Sequence, residues 1–234
     1  MIRVAAFVLV PGAGGRAWYW HRLVPELREL GHEVVAVDLP AEDGTAGLRE
    51  YADTVVEAIG ERSGVVLVAQ SLGGFTAPLV CARVRVELLV MLNAMVPAPG
   101  ETGEAWWDNT GHKRAMTEQA AREGRTLGAE FDPEALFFHD VPPELTAEAF
   151  SQPEPGQSDT PLKEPWPLAA WPDTPTVFLQ GRDDRFFPLE FQRRVVSERL
   201  GIEVDEMPGG HLLSLSRPRE LAQRLEEYRV RASV

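Results

Sequence analysis

The sequence predicts an α/β protein: a mostly parallel sheet of about six strands, helices on both faces, and a lid insertion after the fourth strand. Three observations carry this. Short apolar runs alternate with helix-patterned stretches from Ala5 to Leu92 and again from Thr176 to Val230, the pattern of a parallel sheet with right-handed crossovers. Between them, residues 95–172 lose the alternation and become rich in Pro, Gly, Trp and acidic residues. The run Val65-Val66-Leu67-Val68-Ala69-Gln70 stops at Ser71, and the small residues Gly73 and Gly74 follow at once. That is the outline of a strand–turn–helix holding a serine on a sharp turn.

In chain order, Ala5 to Val10 reads as a buried strand ended by Pro11-Gly12. Although Met1 to Val10 is apolar enough to be confused with a leader, it runs straight into patterned sequence, which predicts a strand. A helix pattern runs from Trp18 to Leu30 and stops at Gly31. Glu33 to Val37 is the second strand, Leu48 to Ile59 an amphipathic helix, and Val65 to Ala69 the third strand. Leu72 to about Arg83 is the helix after the serine, and Glu87 to Leu92 the fourth strand. Within the insertion, Lys113 to Glu123 and Pro143 to Phe150 look helical, whereas Gln152 to Pro167 looks like loop. Strand Thr176–Gln180, helix Leu189–Leu200, strand Glu203–Glu206 and helix Arg219–Val230 complete the chain. Residues 1–94 and 173–234 are thus expected to form the core and 95–172 a cap over the strand ends, where ligands bind in open α/β sheets.

Composition bounds the function. At 234 residues the chain suits one large domain. A net charge of −13 argues against nucleic acid or an anionic membrane as a partner. No apolar run is long enough to span a bilayer. The one cysteine, Cys81, cannot form an internal disulfide, so the cytoplasm is the default compartment. No cofactor or metal cluster is expected. The implied partner is a small-molecule substrate, with the protein a monomer or homodimer.

A serine hydroxyl needs a base, and the base a carboxylate to orient it. In a parallel sheet these groups come from loops after strands, all opening on one edge. The loop after Thr176–Gln180 is Gly181-Arg182-Asp183-Asp184. Asp184 is the expected carboxylate, with Asp183 the alternative; the loop after the fourth strand, Asn93-Ala94-Met95, holds no acid. The loop after the next strand ends in Gly209-Gly210-His211, which puts His211 at the same edge. His21 falls inside a helix pattern, His32 lies at the opposite edge, and His112 and His139 lie in the insertion. An oxyanion needs two donors. The Leu72 N–H, directly after the serine, and the Ala13 N–H, in the turn after the first strand, are the candidates. The Gly-rich turn Gly12-Ala13-Gly14-Gly15 also suggests a phosphate loop, but neither nucleotide-binding glycine motif is present.

These motifs, Val10-Pro11-Gly12-Ala13-Gly14-Gly15, Ala69-Gln70-Ser71-Leu72-Gly73-Gly74, Gly181-Arg182-Asp183-Asp184 and Gly210-His211, make the chain resemble α/β-hydrolases over nearly its full length. Its opening, with Trp18-Tyr19-Trp20 and Leu30 to Leu39, is similar to the branch holding plant methylesterases, salicylate-binding esterases and hydroxynitrile lyases. The resemblance implies the α/β-hydrolase fold and an acyl-enzyme esterase reaction. Three departures stand out. Pro11-Gly12 replaces that branch's His-Gly, Leu212 stands where the lyases carry a lysine, and the lyases' threonine in the first turn has no counterpart. The last two favour hydrolase over lyase.

Trp18, Trp20, Phe75, Trp106, Trp107 and Phe186 are candidate pocket walls, with ordinary core packing as the alternative for each. Three functions compete. The first is hydrolysis of a carboxylic ester or thioester of a small apolar substrate. The second is a lyase, C–C hydrolase, cyclase or perhydrolase on the same scaffold. The third is a low-turnover ligand-binding receptor.

Overall fold

The computed structural model describes residues 4–128 and 130–232. Met1–Arg3, at the head of the opening apolar stretch, Ala129 in the insertion and Ser233-Val234 lie outside the described residues. Six strands, β1 (Ala6–Val10), β2 (Glu33–Ala36), β3 (Val65–Gln70), β4 (Leu88–Leu92), β5 (Thr176–Gly181) and β6 (Val204–Met207), form one sheet in the order β2-β1-β3-β4-β5-β6. Every neighbouring pair is parallel.

Both faces of the central strands are buried, and their side chains divide with a period of two. Phe7 and Leu9, Val66 and Val68, and Leu88, Val90 and Leu92 join one cluster; Val8 and Val10, Leu67 and Ala69, and Leu89 and Met91 join the other. Near-continuous apolar runs are what a parallel sheet covered on both sides requires. Helices α1 (Leu23–Glu29) and α10 (Pro218–Ala232) cover the first face. Helices α2 (Leu48–Ile59), α3 (Gly73–Cys81) and α9 (Leu189–Leu200) cover the second. The winding of the sheet reverses after β2, which lies on one side of β1 while β3 is laid on the other. Their helices therefore diverge to opposite faces and leave a crevice beyond the ends of β1 and β3, where open α/β sheets bind ligands. Among the described residues, no helix is long and apolar enough to cross a membrane.

The continuous helix expected from Trp18 to Leu30 is broken in two: a 3₁₀ turn at Ala17–Trp20, then α1. Pro25 explains the break. It has no N–H and its ring collides with the carbonyl four residues back, so it is tolerated only in a first turn, where α1 places it. Residues 95–172 leave the sheet after β4 and return at β5 carrying α4 (Gly103–Thr110), α5 (His112–Arg122), α6 (Pro133–Phe137), α7 (Pro143–Ser151) and α8 (Thr160–Lys163). Short helix α8 lies in a stretch expected to be loop. Helices α4 and α6 were not anticipated, yet each has a side-chain cap. Thr102 Oγ1 accepts from Ala105 N–H at 3.0 Å, and Asp132 Oδ1 from Ala135 N–H at 3.0 Å, with Pro133 at the first position. Two turns are too short to show apolar periodicity, so only the caps betray them.

Candidate active site

The geometry begins at Ser71. Its φ is +52°, left-handed backbone that a non-glycine residue rarely adopts. Neighbouring bonds hold it there: Ser71 N–H donates to Leu92 O at 3.3 Å, and Ser71 O accepts from Gly74 N–H at 3.1 Å and Met95 N–H at 3.0 Å. The elbow fits only because the surrounding chain is bare. A Cβ on Gly73 would stand 2.7 Å from Pro11 O, and one on Gly74 would run into Met95 O. A Cβ on Gly12 would lie 2.8 Å from Ser71 Cβ, which fixes how near the β1 turn comes to the serine. Ala69 stands at the first glycine of the G-x-S-x-G elbow pattern and is fully buried, so its methyl is accommodated there.

Asp184 and His211 meet at the same sheet edge. Asp184 is fully buried and its carboxylate has four donors. Oδ1 accepts from the N–H groups of Phe186 (2.8 Å) and Phe187 (2.9 Å); Oδ2 accepts from Gln180 Nε2 (3.1 Å) and faces His211 Nδ1 (2.8 Å). This arrangement makes Nδ1 the protonated nitrogen and leaves Nε2 an acceptor. Asp183 is exposed and is engaged elsewhere, its Oδ2 accepting from Gly209 N–H at 3.0 Å. Three phenyl rings surround the His211 imidazole, those of Phe137, Phe187 and Phe186, with centroids at 5.0, 5.3 and 5.5 Å.

Ser71 and His211 line one cavity of about 80 Å³, together with Gly12, Ala13, Tyr19, Gln70, Phe137, Phe138 and Leu212. Neither the Ala13 N–H nor the Leu72 N–H has a hydrogen-bond partner among the described residues, the condition for donors awaiting a ligand oxygen.

The expected pocket walls fare differently. Trp18 stands outside the cavity, its indole N–H donating to Glu148 Oε1 at 3.3 Å, while the adjacent Tyr19 faces in. Trp106 is wholly buried: its indole donates to Val96 O at 2.9 Å and its ring packs on Phe187 and Phe191. It is a core residue, as are Trp20 and Phe75. Trp107 packs on Phe186 and His112, and Phe186 backs His211, so both reach the cavity only through other rings. Sequence reasoning missed Tyr19, Gln70, Phe137 and Phe138. The two phenylalanines are placed by α6, the helix its short length concealed.

His112, left aside in the sequence, sits in this aromatic cluster with its Nε2–H donating to Phe186 O at 2.7 Å. Burial pushes its pKa below the ordinary histidine value, against the opposing pull of that bond and of Asp184. The unfolded chain then binds the extra proton first, so this contribution to stability is intact above the unfolded value of about 6.5 and is lost as pH falls toward the folded value. Thermal unfolding between pH 7.5 and 5 should show a steeper acid-side fall in Tm for wild type than for His112→Gln. Parallel curves would exclude His112 as the source.

The chain matches the model of the family described as "Alpha/beta hydrolase family" over residues 7–224. It is 32% identical to "Probable esterase PIR7A" of Oryza sativa subsp. indica over 250 aligned positions, covering 94% of each chain. It is 26% identical to "Alpha-hydroxynitrile lyase" of Arabidopsis thaliana, covering 94% of this chain and 95% of that one. Among solved structures, polyneuridine aldehyde esterase superposes with a TM-score of 0.77 at 23% identity, over 97% of this chain and 99% of that one, a likeness of fold.

Proposed function

The chain belongs to the alpha/beta hydrolase family, and from that premise we propose that it cleaves carboxylic esters or thioesters of small apolar acids through an acyl-enzyme on Ser71. A carboxylesterase-like hydrolase is the class its esterase relatives support. The observation that carries the finer reading is the 2.8 Å contact between His211 Nδ1 and Asp184 Oδ2 beside a cavity that also holds Ser71. His211 Nε2 takes the proton from Ser71 Oγ as it attacks the ester carbonyl. The N–H groups of Ala13 and Leu72 receive the negative charge on the former carbonyl oxygen. His211 then gives its proton to the leaving alcohol or thiol, and water, activated by the same imidazole, releases the acid and restores the serine.

Residues 95–172 serve as the lid, a role supported by Phe137 lying over His211 and by Phe138 walling the cavity. Leu212 lines the cavity where the lyases carry lysine and offers no charge to stabilise a departing cyanide. A cavity of about 150 Å³ is enough for benzene, so the 80 Å³ here suits an acyl group of about two to four heavy atoms. The single cysteine supports a cytoplasmic setting.

A panel of aryl acetate, aryl octanoate and mandelonitrile tests this. Wild type should hydrolyse the acetate, with kcat/KM at least about tenfold above the octanoate, and leave the cyanohydrin intact. Cyanohydrin cleavage without ester hydrolysis would replace the esterase reading by a lyase.

A further inference from the structure

We infer that Asn93 is a positioning residue that sets the distance between the acid and the base of this site; the inference rests on the Ser71–His211–Asp184 reading. The problem it solves is mechanical. Gly209 and Gly210 have no side chains, so the loop that presents His211 can be gripped only by its backbone.

Other segments supply the grip. Gly209 N–H is held by Asp183, and Gly210 N–H by Asp140 Oδ2 at 2.7 Å. The carbonyls of Gly210 and His211 both accept from Asn93 Nδ2, at 3.1 and 2.8 Å. The same amide faces the other way at its oxygen: Gly181 N–H, where the acid loop leaves β5, donates to Asn93 Oδ1 at 2.6 Å. One fully buried side chain thus ties the root of the Asp184 loop to the His211 loop.

No other residue type fills this place. The fork needs an acceptor and a two-hydrogen donor on one short side chain. The backbone at Asn93 has φ +44°, a left-handed conformation that asparagine tolerates and most residues do not. Glutamine is too long for the site, and aspartate would set an oxygen against two carbonyls.

Asn93→Gly keeps the backbone free to adopt that conformation and deletes the fork. Asn93→Asp retains the acceptor for Gly181 and repels the His211 loop. Val90→Ala, a cavity in the same strand away from the site, controls for lost stability alone. Steady-state kinetics on an aryl acetate are read beside the downfield proton resonance of the His211 Nδ1–H···Asp184 bond, which needs no substrate. Both Asn93 variants should lose about a hundredfold in kcat, the effect of misplacing a reacting group by about 1 Å, with KM changed less than about twofold. Their downfield resonance should broaden or vanish. Val90→Ala should lower Tm and leave both unchanged. A folded Asn93→Gly that retains the resonance, with kcat within about twofold of Val90→Ala, overturns the inference. If wild type itself neither hydrolyses esters nor reacts with a fluorophosphonate, the esterase reading falls, and the resonance alone still decides whether Asn93 holds His211 against Asp184.

Discussion

Replacing Ser71 by alanine is expected to lower kcat on an aryl acetate by about 10⁴-fold or more while leaving the fold intact. Loss of the nucleophile in a triad costs on that order, since the remaining groups act through it. The substitution removes only Oγ. The backbone bonds that shape the elbow, from Ser71 N–H and to Ser71 O, do not depend on the side chain. Because alanine also tolerates the left-handed φ of +52° poorly, the turn stays strained to a similar degree. Tm should therefore move by no more than a few degrees while turnover vanishes. Retained turnover in Ser71→Ala would mean that the hydrolysis arises elsewhere.

Asp184→Asn is expected to cost about 10⁴-fold in kcat, through the tautomer of His211. Asp184 Oδ1 is held by two backbone N–H donors, so the amide oxygen of an asparagine goes there and its NH₂ replaces Oδ2. That NH₂ then faces His211 Nδ1, which must become an acceptor. The ring proton moves to Nε2, the atom that has to accept from Ser71. Asp183→Asn makes the contrast. Its carboxylate meets solvent and accepts one backbone N–H at Gly209, which an amide oxygen also accepts, so its loss should stay below about tenfold. Kinetics of the two variants under identical conditions settle which carboxylate serves His211. Equal losses, or a larger loss at Asp183, would contradict the assignment.

Much of this was legible in the residues. The central runs in β1, β3 and β4 placed their strands to within one position, because strands buried on both faces are almost wholly apolar and stop where the apolar run stops. Ser71, Asp184 and His211 could be named as candidates, and the structure brings them to one sheet edge, because a parallel sheet sends the loops after all its strands there. The misses have different causes. Helices α4 and α6 span about two turns or fewer, too few for periodicity to show. With α6 unseen, Phe137 and Phe138 had no reason to be brought over His211. Trp106 was drawn toward the pocket by its place in the insertion, whereas its indole is satisfied by Val96 O in the core. Asn93 was noticed only for lacking a charge. Its fork joins segments 88 and 117 or more residues away, a relation no local pattern contains.

The central claim is that Ser71 is an activated nucleophile in a preformed site. Intact-mass spectrometry after treatment with a fluorophosphonate, on wild type and Ser71→Ala in parallel, tests it without knowledge of the substrate. The account predicts one adduct on wild type, located at Ser71, and none on the variant. An unmodified wild type, or an adduct that persists in Ser71→Ala, would contradict it.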